Sequence, residues 1–293
     1  MIIKRWLAPR NIVYFMFIVC VVTVILWKSE PAERGETFKP YDTEFFAKVQ
    51  DSIFDGFDNI TGTKNGSYIV PNYVHFLFFG KPRLSYVHSD TLHLRNITLP
   101  EEIFGQKFSK EFHVWHAGDV TRIRILIKYG GIFVDNDSYI VRSLDPFRKY
   151  EMTIGITDGY QLGTQVLIAH KDARFLKLWL ESYRDYHPDK FYFNAGKKPM
   201  KEIINYMPEL VHTVRYLLGV EGLARRLYIW DSWSNWRKYY SIHLVIRHRN
   251  YLDTLWNFLK WPNIDENNIC DYPHPFGEMA RDVYGDFCPK PIA

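Results

Sequence analysis

The residues with the clearest chemical potential are two carboxylates, Asp135 and Asp137, which close the short apolar run Ile132-Phe133-Val134. Aspartate oxygens are hard donors, suited to a divalent cation or to the hydroxyls of a sugar. An acid and a base, Asp119 and Arg122, precede them on a segment whose apolar positions Val120, Ile123, Leu126 and Ile127 recur at helical spacing, so 119 and 122 share one face. Gly130-Gly131 stops that helix where positive φ is cheapest, and 132–134 suits a buried parallel strand. In open α/β sheets ligands lie beyond the carboxyl ends of the strands, which is where Asp135 and Asp137 are expected. A bare D-x-D is weak, because a chain of this length shows about one by chance. Helix, glycine stop and strand end together give it meaning.

The whole pattern, D-x-x-R on a helix followed by Gly130-Gly131-Ile132-Phe133-Val134-Asp135-Asn136-Asp137, resembles the family-32-like glycosyltransferases, whose sugar-binding region contains a DXD motif. The likeness runs from Pro71 to Leu180 and continues beyond in fragments. It implies an α/β fold, a single Rossmann-like nucleotide-sugar-binding domain of the GT-A type, using Mn²⁺ or another divalent cation and a nucleotide-diphosphate sugar as donor. Oxygen ligands suit Mn²⁺. By this resemblance Asp137 binds the ion, Asp135 meets the ion or the donor ribose, Asp119 accepts from donor-sugar hydroxyls, and Arg122 offers its fork to sugar or phosphate. The run Val70 to Gly80 is similar to the family's opening element, which lines the nucleotide pocket, so Tyr73 and His75, together with Gly130 and Gly131, are expected against the donor. The segment Tyr240-Ser241-Ile242-His243-Leu244 resembles a late element whose histidine sits near metal and diphosphate, making His243 a third candidate ligand. Asn194-Ala195-Gly196 stands where relatives carry a loop near the active site, and Thr164 and Gln165 stand where they carry a polar sugar contact.

One departure matters. Between Gly80 and Asp119 this chain has fewer than forty residues, where the family interposes more, so the nucleotide-binding half is shortened. An alternative follows: a protein that keeps the fold and binds sugar or nucleotide without turnover. A haloacid-dehalogenase-type phosphatase also places D-x-D after an apolar strand, but it wants Thr or Val where Tyr139 stands.

With 47% hydrophobic residues, 293 residues suffice for one sizeable catalytic domain plus extras. The net charge of +4 is small and the basic residues form no stripe, which argues against nucleic acid as a partner. Residues 12–27 are apolar apart from Thr23, about 24 Å as a helix and long enough for a thin bilayer. Lys4, Arg5 and Arg10 precede the run and acids follow it, so the expected organisation is a cytosolic tail at 1–11, a signal-anchor at 12–27 and a lumenal stem at 28–66. A catalytic domain at 67–262 and a wrapped C-terminal extension at 263–293 complete it. The partners expected are donor, a glycan, glycolipid or glycoprotein acceptor, and the membrane itself; the place expected is the Golgi membrane, single-pass and type II. Sequons at Asn59, Asn65 and Asn96 agree with a lumenal domain, whereas the sequon at Asn136 lies inside the candidate site and is expected to stay bare. Strands are expected at 73–79, 139–141, 152–157 and 165–169, and a helix capped by Asp172 and carrying Phe175, Leu176, Trp179 and Leu180. Cys270 and Cys288 are either a disulfide pair or two free thiols.

This topology has a direct test. Full-length protein in sealed microsomes should keep its C-terminal domain intact under added protease and gain mobility on deglycosylation; complete digestion with no shift overturns it.

Overall fold

The computed structural model describes residues 61–63, 65–78, 92–96, 99–157, 160–230, 232–246, 260–265, 267–285 and 288. The candidate span 12–27 and most of the segment assigned to the stem lie outside them. No helix among the described residues is long and apolar enough to cross a membrane.

A six-stranded mixed sheet organises the domain, in the order β2-β1-β5-β8-β7-β9. Its strands are β1 (Val74–Phe78), β2 (Leu92–Asn96), β5 (Gly131–Val134), β7 (Met152–Ile156), β8 (Leu162–Ala169) and β9 (His212–Arg215). Two two-residue strands, β3 (Glu102–Ile103) and β4 (Gln106–Lys107), form a separate hairpin. β1 runs parallel to β2 and to β5, the expected Rossmann-like half. The other neighbour of β5 is β8, and that pairing is antiparallel. Every residue of β5, β7 and β8 is buried, which explains why their apolar runs look continuous rather than alternating.

Helix α1 (His113–Tyr129) returns the chain to the start of β5, and α2 (Arg174–Glu181) packs beside it. Successive side chains of a strand face opposite ways, so Ile132 and Val134 join Val166, Ile168, Phe147 and Tyr150 in one core cluster while Phe133 lies beneath the Arg122 guanidinium of α1. Burying one such side chain contributes about 2 kcal/mol. The cap expected of Asp172 is absent. Its carboxylate binds Lys171 at 2.6 Å, and the first turn of α2 is met by Glu151, which accepts from Arg174 N at 2.6 Å and from the Arg174 side chain at 2.7 Å. A carboxylate distant in sequence thus serves the helix where a neighbouring one was expected.

A second core lies under a small antiparallel pair, β6 (Ser138–Ile140) with β10 (Ser241–His243). Helix α3 (Ala224–Tyr228) and helix α4 (Pro275–Tyr284) close it with Leu227, Tyr228, Trp233, Trp236, Tyr272, Phe276 and Met279. The C-terminal segment therefore supplies core as well as wrapping, and Pro275, preorganised for a first helical turn, starts its helix. Cys270 and Cys288 are bonded, with Cα atoms 5.5 Å apart. At the other end, Thr63 N donates to Lys149 O at 3.0 Å, so the chain already pairs with the body inside the span assigned to the stem.

Gly130 and Gly131 mark a close approach of backbone to backbone at the start of the sheet. Gly131 has φ 109°, and a Cβ there would meet Tyr73 O at 2.6 Å and His75 Nε2 at 3.0 Å. Gly131→Ala should cost at least about 2 kcal/mol in urea unfolding, combining strain with a backbone clash. Gly66→Ala, at φ 70° with nothing within 4 Å, should cost about 1 kcal/mol. Equal losses would show that the close approach at Gly131 carries no energy.

Candidate active site

The acidic turn is fixed from several sides. Asp135 N donates to Gln165 O at 2.8 Å, Ser138 N returns to Asp135 O at 2.9 Å, and Leu244 N donates to Asp137 O at 2.8 Å. Asn136 Nδ2 donates to Leu77 O at 2.9 Å, tying the turn to the end of β1. The same bond engages the amide nitrogen that glycosylation would need.

One cation anchors the first half of the site. Arg122 Nη1 donates to Asp135 Oδ2 at 3.1 Å and to Thr164 O at 2.7 Å, while Nη2 lies 3.3 Å from Asp119 Oδ1. The guanidinium carbon stands 4.9 Å from the centroid of the Phe133 ring. Helix α1, the β5 turn and β8 all converge on this group. Burial pushes the Asp119 carboxyl up to about 7, against the pull of Arg122, with Asp135 adding to the rise. Burial also raises Asp135, opposed by Arg122 and His243. Burial works against the Arg122 charge, but the two carboxylates outweigh it and hold the guanidinium protonated. The family resemblance implies Arg122 against sugar or phosphate and Asp119 against sugar hydroxyls; the structure turns both inward, with Asp119 only 5% exposed. They position Asp135, and their pairing is buried where a surface i,i+3 pair would have been bland.

The second half forms around His243. The pairing of β6 with β10 sets His243 opposite Ser138, and its Nε2 lies 3.2 Å from Asp137 Oδ1. Its Nδ1 is 3.6 Å from Glu221 Oε1, an ion-pair contact too long for a hydrogen bond. Burial opposes charge on this ring, yet Asp137 and Glu221 outweigh it and raise His243 to about 9. Glu221 was not among the residues picked from sequence. It is held by Gln165, whose Nε2 donates to Glu221 Oε1 at 3.2 Å and also to Gly219 O. The signal available was an acid between glycines, Gly219-Val220-Glu221-Gly222; Gly219 and Gly222 take φ 60° and 74°. His243 N donates to Val220 O at 2.9 Å, which aligns the loop with β10.

Tyr192 is a further residue that sequence reasoning missed. It sits at φ 60°, donates through its hydroxyl to Leu162 O at 2.5 Å and accepts from Thr164 N at 3.1 Å. The expected loop Asn194–Gly196 supports this ring: a Cβ at Gly196 would come within 2.3 Å of Tyr192 Cε1. Asn194 itself is buried and pairs with His187 N and Asp185 O, each at 2.9 Å. Thr164 and Gln165 thus act as braces for Arg122 and Glu221.

Four expected donor contacts lie elsewhere. Tyr73, His75, Gly130 and Gly131 gather at the start of β1 and β5, the end of the sheet opposite Asp135. Ile132 N donates to Tyr73 O at 2.7 Å, and the fully buried His75 donates through Nε2 to Gly130 O at 2.7 Å. These residues join α1 to the sheet, because only glycine lets the two backbones approach so closely.

Comparison with known proteins bears on this arrangement. Residues 42–154 match the family described as "Glycosyltransferase sugar-binding region containing DXD motif". Over that span the chain is similar to the sugar-binding region of the DXD glycosyltransferases. The matched span includes α1 and the DXD turn, starts inside the segment assigned to the stem, and stops before β8 and His243. The chain is 24% identical over 176 residues to glucan organizing enzyme 1 of Cryptococcus neoformans, covering 52% of this chain and 44% of the relative. It is 25% identical over 126 residues to lactosylceramide 4-alpha-galactosyltransferase of Rattus norvegicus, covering 42% and 34%. The Mus musculus protein of that name is 25% identical over 145 residues, covering 46% and 39%. The chain spans less than half the length of these curated relatives. No solved structure matches significantly.

The donor chemistry fits a divalent ion at one pair. Asp137 Oδ1 and His243 Nε2, 3.2 Å apart, are a carboxylate oxygen and an imidazole nitrogen that would hold such an ion once the ring gives up its proton. Among the described residues, no three His, Cys, Asp or Glu side chains are gathered as a ready cage. The expectation that Asp135 ligates alongside Asp137 is met by a carboxylate turned to Arg122 instead.

The Arg122 anchor generates a stability prediction. Arg122→Leu should destabilise the domain by about 3–5 kcal/mol in urea unfolding, because buried Asp119 and Asp135 lose their cation. Adding Asp119→Asn should recover part of that loss, giving a non-additive cycle. Strict additivity would mean that the two side chains are energetically independent.

Proposed function

We propose that this chain is a type II Golgi-membrane glycosyltransferase that moves a hexose or N-acetylhexosamine from a nucleotide-diphosphate sugar to a glycan, glycolipid or glycoprotein acceptor, retaining the anomeric configuration. The observation that carries the reading is the division of the DXD pair. Asp135 is locked inward on Arg122, and Asp137, with a side chain 37% exposed, faces outward beside His243. A nucleotide diphosphate leaves with concentrated negative charge. Mn²⁺ or another divalent cation bound at Asp137 and His243 would supply Lewis-acid stabilisation of that charge.

The chain's own contribution is positioning. Arg122 and Gln165 O hold Asp135 at the strand end and so fix the turn that presents Asp137. Gln165 and His243 hold Glu221, 40% exposed, as a third carboxylate beside them. The printed names of the relatives, a galactosyltransferase acting on lactosylceramide and a glucan organizing enzyme, make UDP-galactose and UDP-glucose the first donors to try.

Asp137→Asn should fold normally by circular dichroism and lose transfer by several orders of magnitude, since a charged group meeting the leaving-group ion is worth several kcal/mol. Glu209→Gln, an exposed acid away from the site, should be silent. Chelation should abolish transfer and Mn²⁺ restore it. Equal activity in wild type and Asp137→Asn overturns the site, and binding of a nucleotide sugar with no transfer under any donor would favour the non-catalytic reading, in keeping with the shortened nucleotide half.

A further inference from the structure

Trp115 and Phe191 are 55% and 54% exposed, an unusual outlay for two large aromatic rings on one patch. Their centroids lie 6.0 Å apart with planes at 87°, and Phe191 packs on Phe112 at 5.4 Å and on Tyr192 at 6.2 Å. The rings are therefore held, not splayed. Trp115 stands one helical turn before Asp119 on α1, about 10 Å along the axis from Arg122. Phe191 precedes Tyr192, whose hydroxyl binds Leu162 O and meets Thr164 N, and Thr164 O in turn holds Arg122. Both rings are thus rigidly coupled to the end of the sheet that carries Asp135 and Asp137.

We propose that Trp115 and Phe191 form a saccharide platform that takes a pyranose of the acceptor beside the carboxylates; this rests on the transfer reading above. An aromatic face carries negative charge density and attracts the polarised C–H groups on the apolar face of a sugar ring. Exposed Lys110 and Glu111 directly precede Phe112 in the chain, and a base and an acid there would offer a donor and an acceptor to sugar hydroxyls. That mixture suits a carbohydrate, whose faces are apolar and whose rim is polar, better than it suits an acyl chain. Two faces at right angles also define a corner, which fixes the orientation of a ring placed against it.

The test uses the full-length chain in detergent, with lactose and cellobiose as probes, and the variants Trp115→Ala, Phe191→Ala and Trp115→Phe. Because both side chains are exposed, the variants should keep the wild-type melting temperature. Saturation-transfer NMR should show both disaccharides contacting wild type at millimolar concentration, with affinity falling about tenfold in each alanine variant and largely kept in Trp115→Phe. With a donor that is turned over, the acceptor KM should rise by a similar factor while donor hydrolysis in the absence of acceptor stays unchanged. Unchanged sugar affinity and unchanged acceptor KM overturn the platform and leave the transfer reading standing. Lost sugar contact in the variants of a protein that transfers nothing keeps the platform and sinks the transfer reading. Failure of both disaccharides to bind wild type overturns the proposal, as does aromatic-dependent binding to phosphatidylcholine vesicles with sugar affinity unaltered, which would make the patch a membrane contact.

Discussion

A single buried guanidinium holds the site together. Arg122 reaches Asp119 within its own helix, Asp135 at the end of β5 and the carbonyl of Thr164 on β8. Taking such a cation from water is costly, and only geometry that satisfies several of its donors makes burial tolerable. Once met, the requirement fixes the angle between helix and sheet, the register of β8 beside β5 and the direction of the Asp135 carboxylate. Phe133 below the guanidinium adds a face that no aliphatic side chain provides.

The second half of the site depends on a different constraint, the alignment of three short segments that are far apart in sequence. The 137–140 turn, the loop at Gly219–Glu221 and the strand at Ser241–His243 hydrogen-bond to one another in sequence through backbone groups. Asp137, Glu221 and His243 meet as a consequence. Such short strands need support from outside, and they have it in the aromatic cluster of Trp236, Tyr272, Phe276 and Met279. Tyr139 links the two, packing on Trp236 at 5.8 Å and donating to Met279 O at 3.2 Å. The C-terminal helix, closed by the Cys270–Cys288 bond, is in this sense part of the scaffold of the candidate site.

Opposite charges therefore partition the acidic motif into a structural and an accessible member. Asp135 faces a permanent cation, Arg122, and Asp137 faces a titratable one, His243. A group that must exchange partners with a ligand is better placed against the second kind, because an imidazole can give up its proton whereas a guanidinium cannot.

Local pattern in the sequence was enough for α1, for its glycine stop, for the acidic strand end and for strands at 152–157 and 165–169, the second of which the structure begins three residues earlier, at Leu162, since periodicity and backbone preference act between near neighbours. The likeness to the DXD glycosyltransferases added His243, which no spacing rule would have singled out. Only the tertiary structure decided that β8 runs against β5, that Arg122 turns inward, and that Tyr73, His75, Gly130 and Gly131 brace the far end of the sheet. It alone brought Glu221 and Tyr192 to the site and made Glu151 the partner of α2. The reason is common to all of these. Each depends on which charge, carbonyl or ring the fold delivers from tens of residues away, and the free energy of a buried polar contact is set by that partner rather than by the residue's own type.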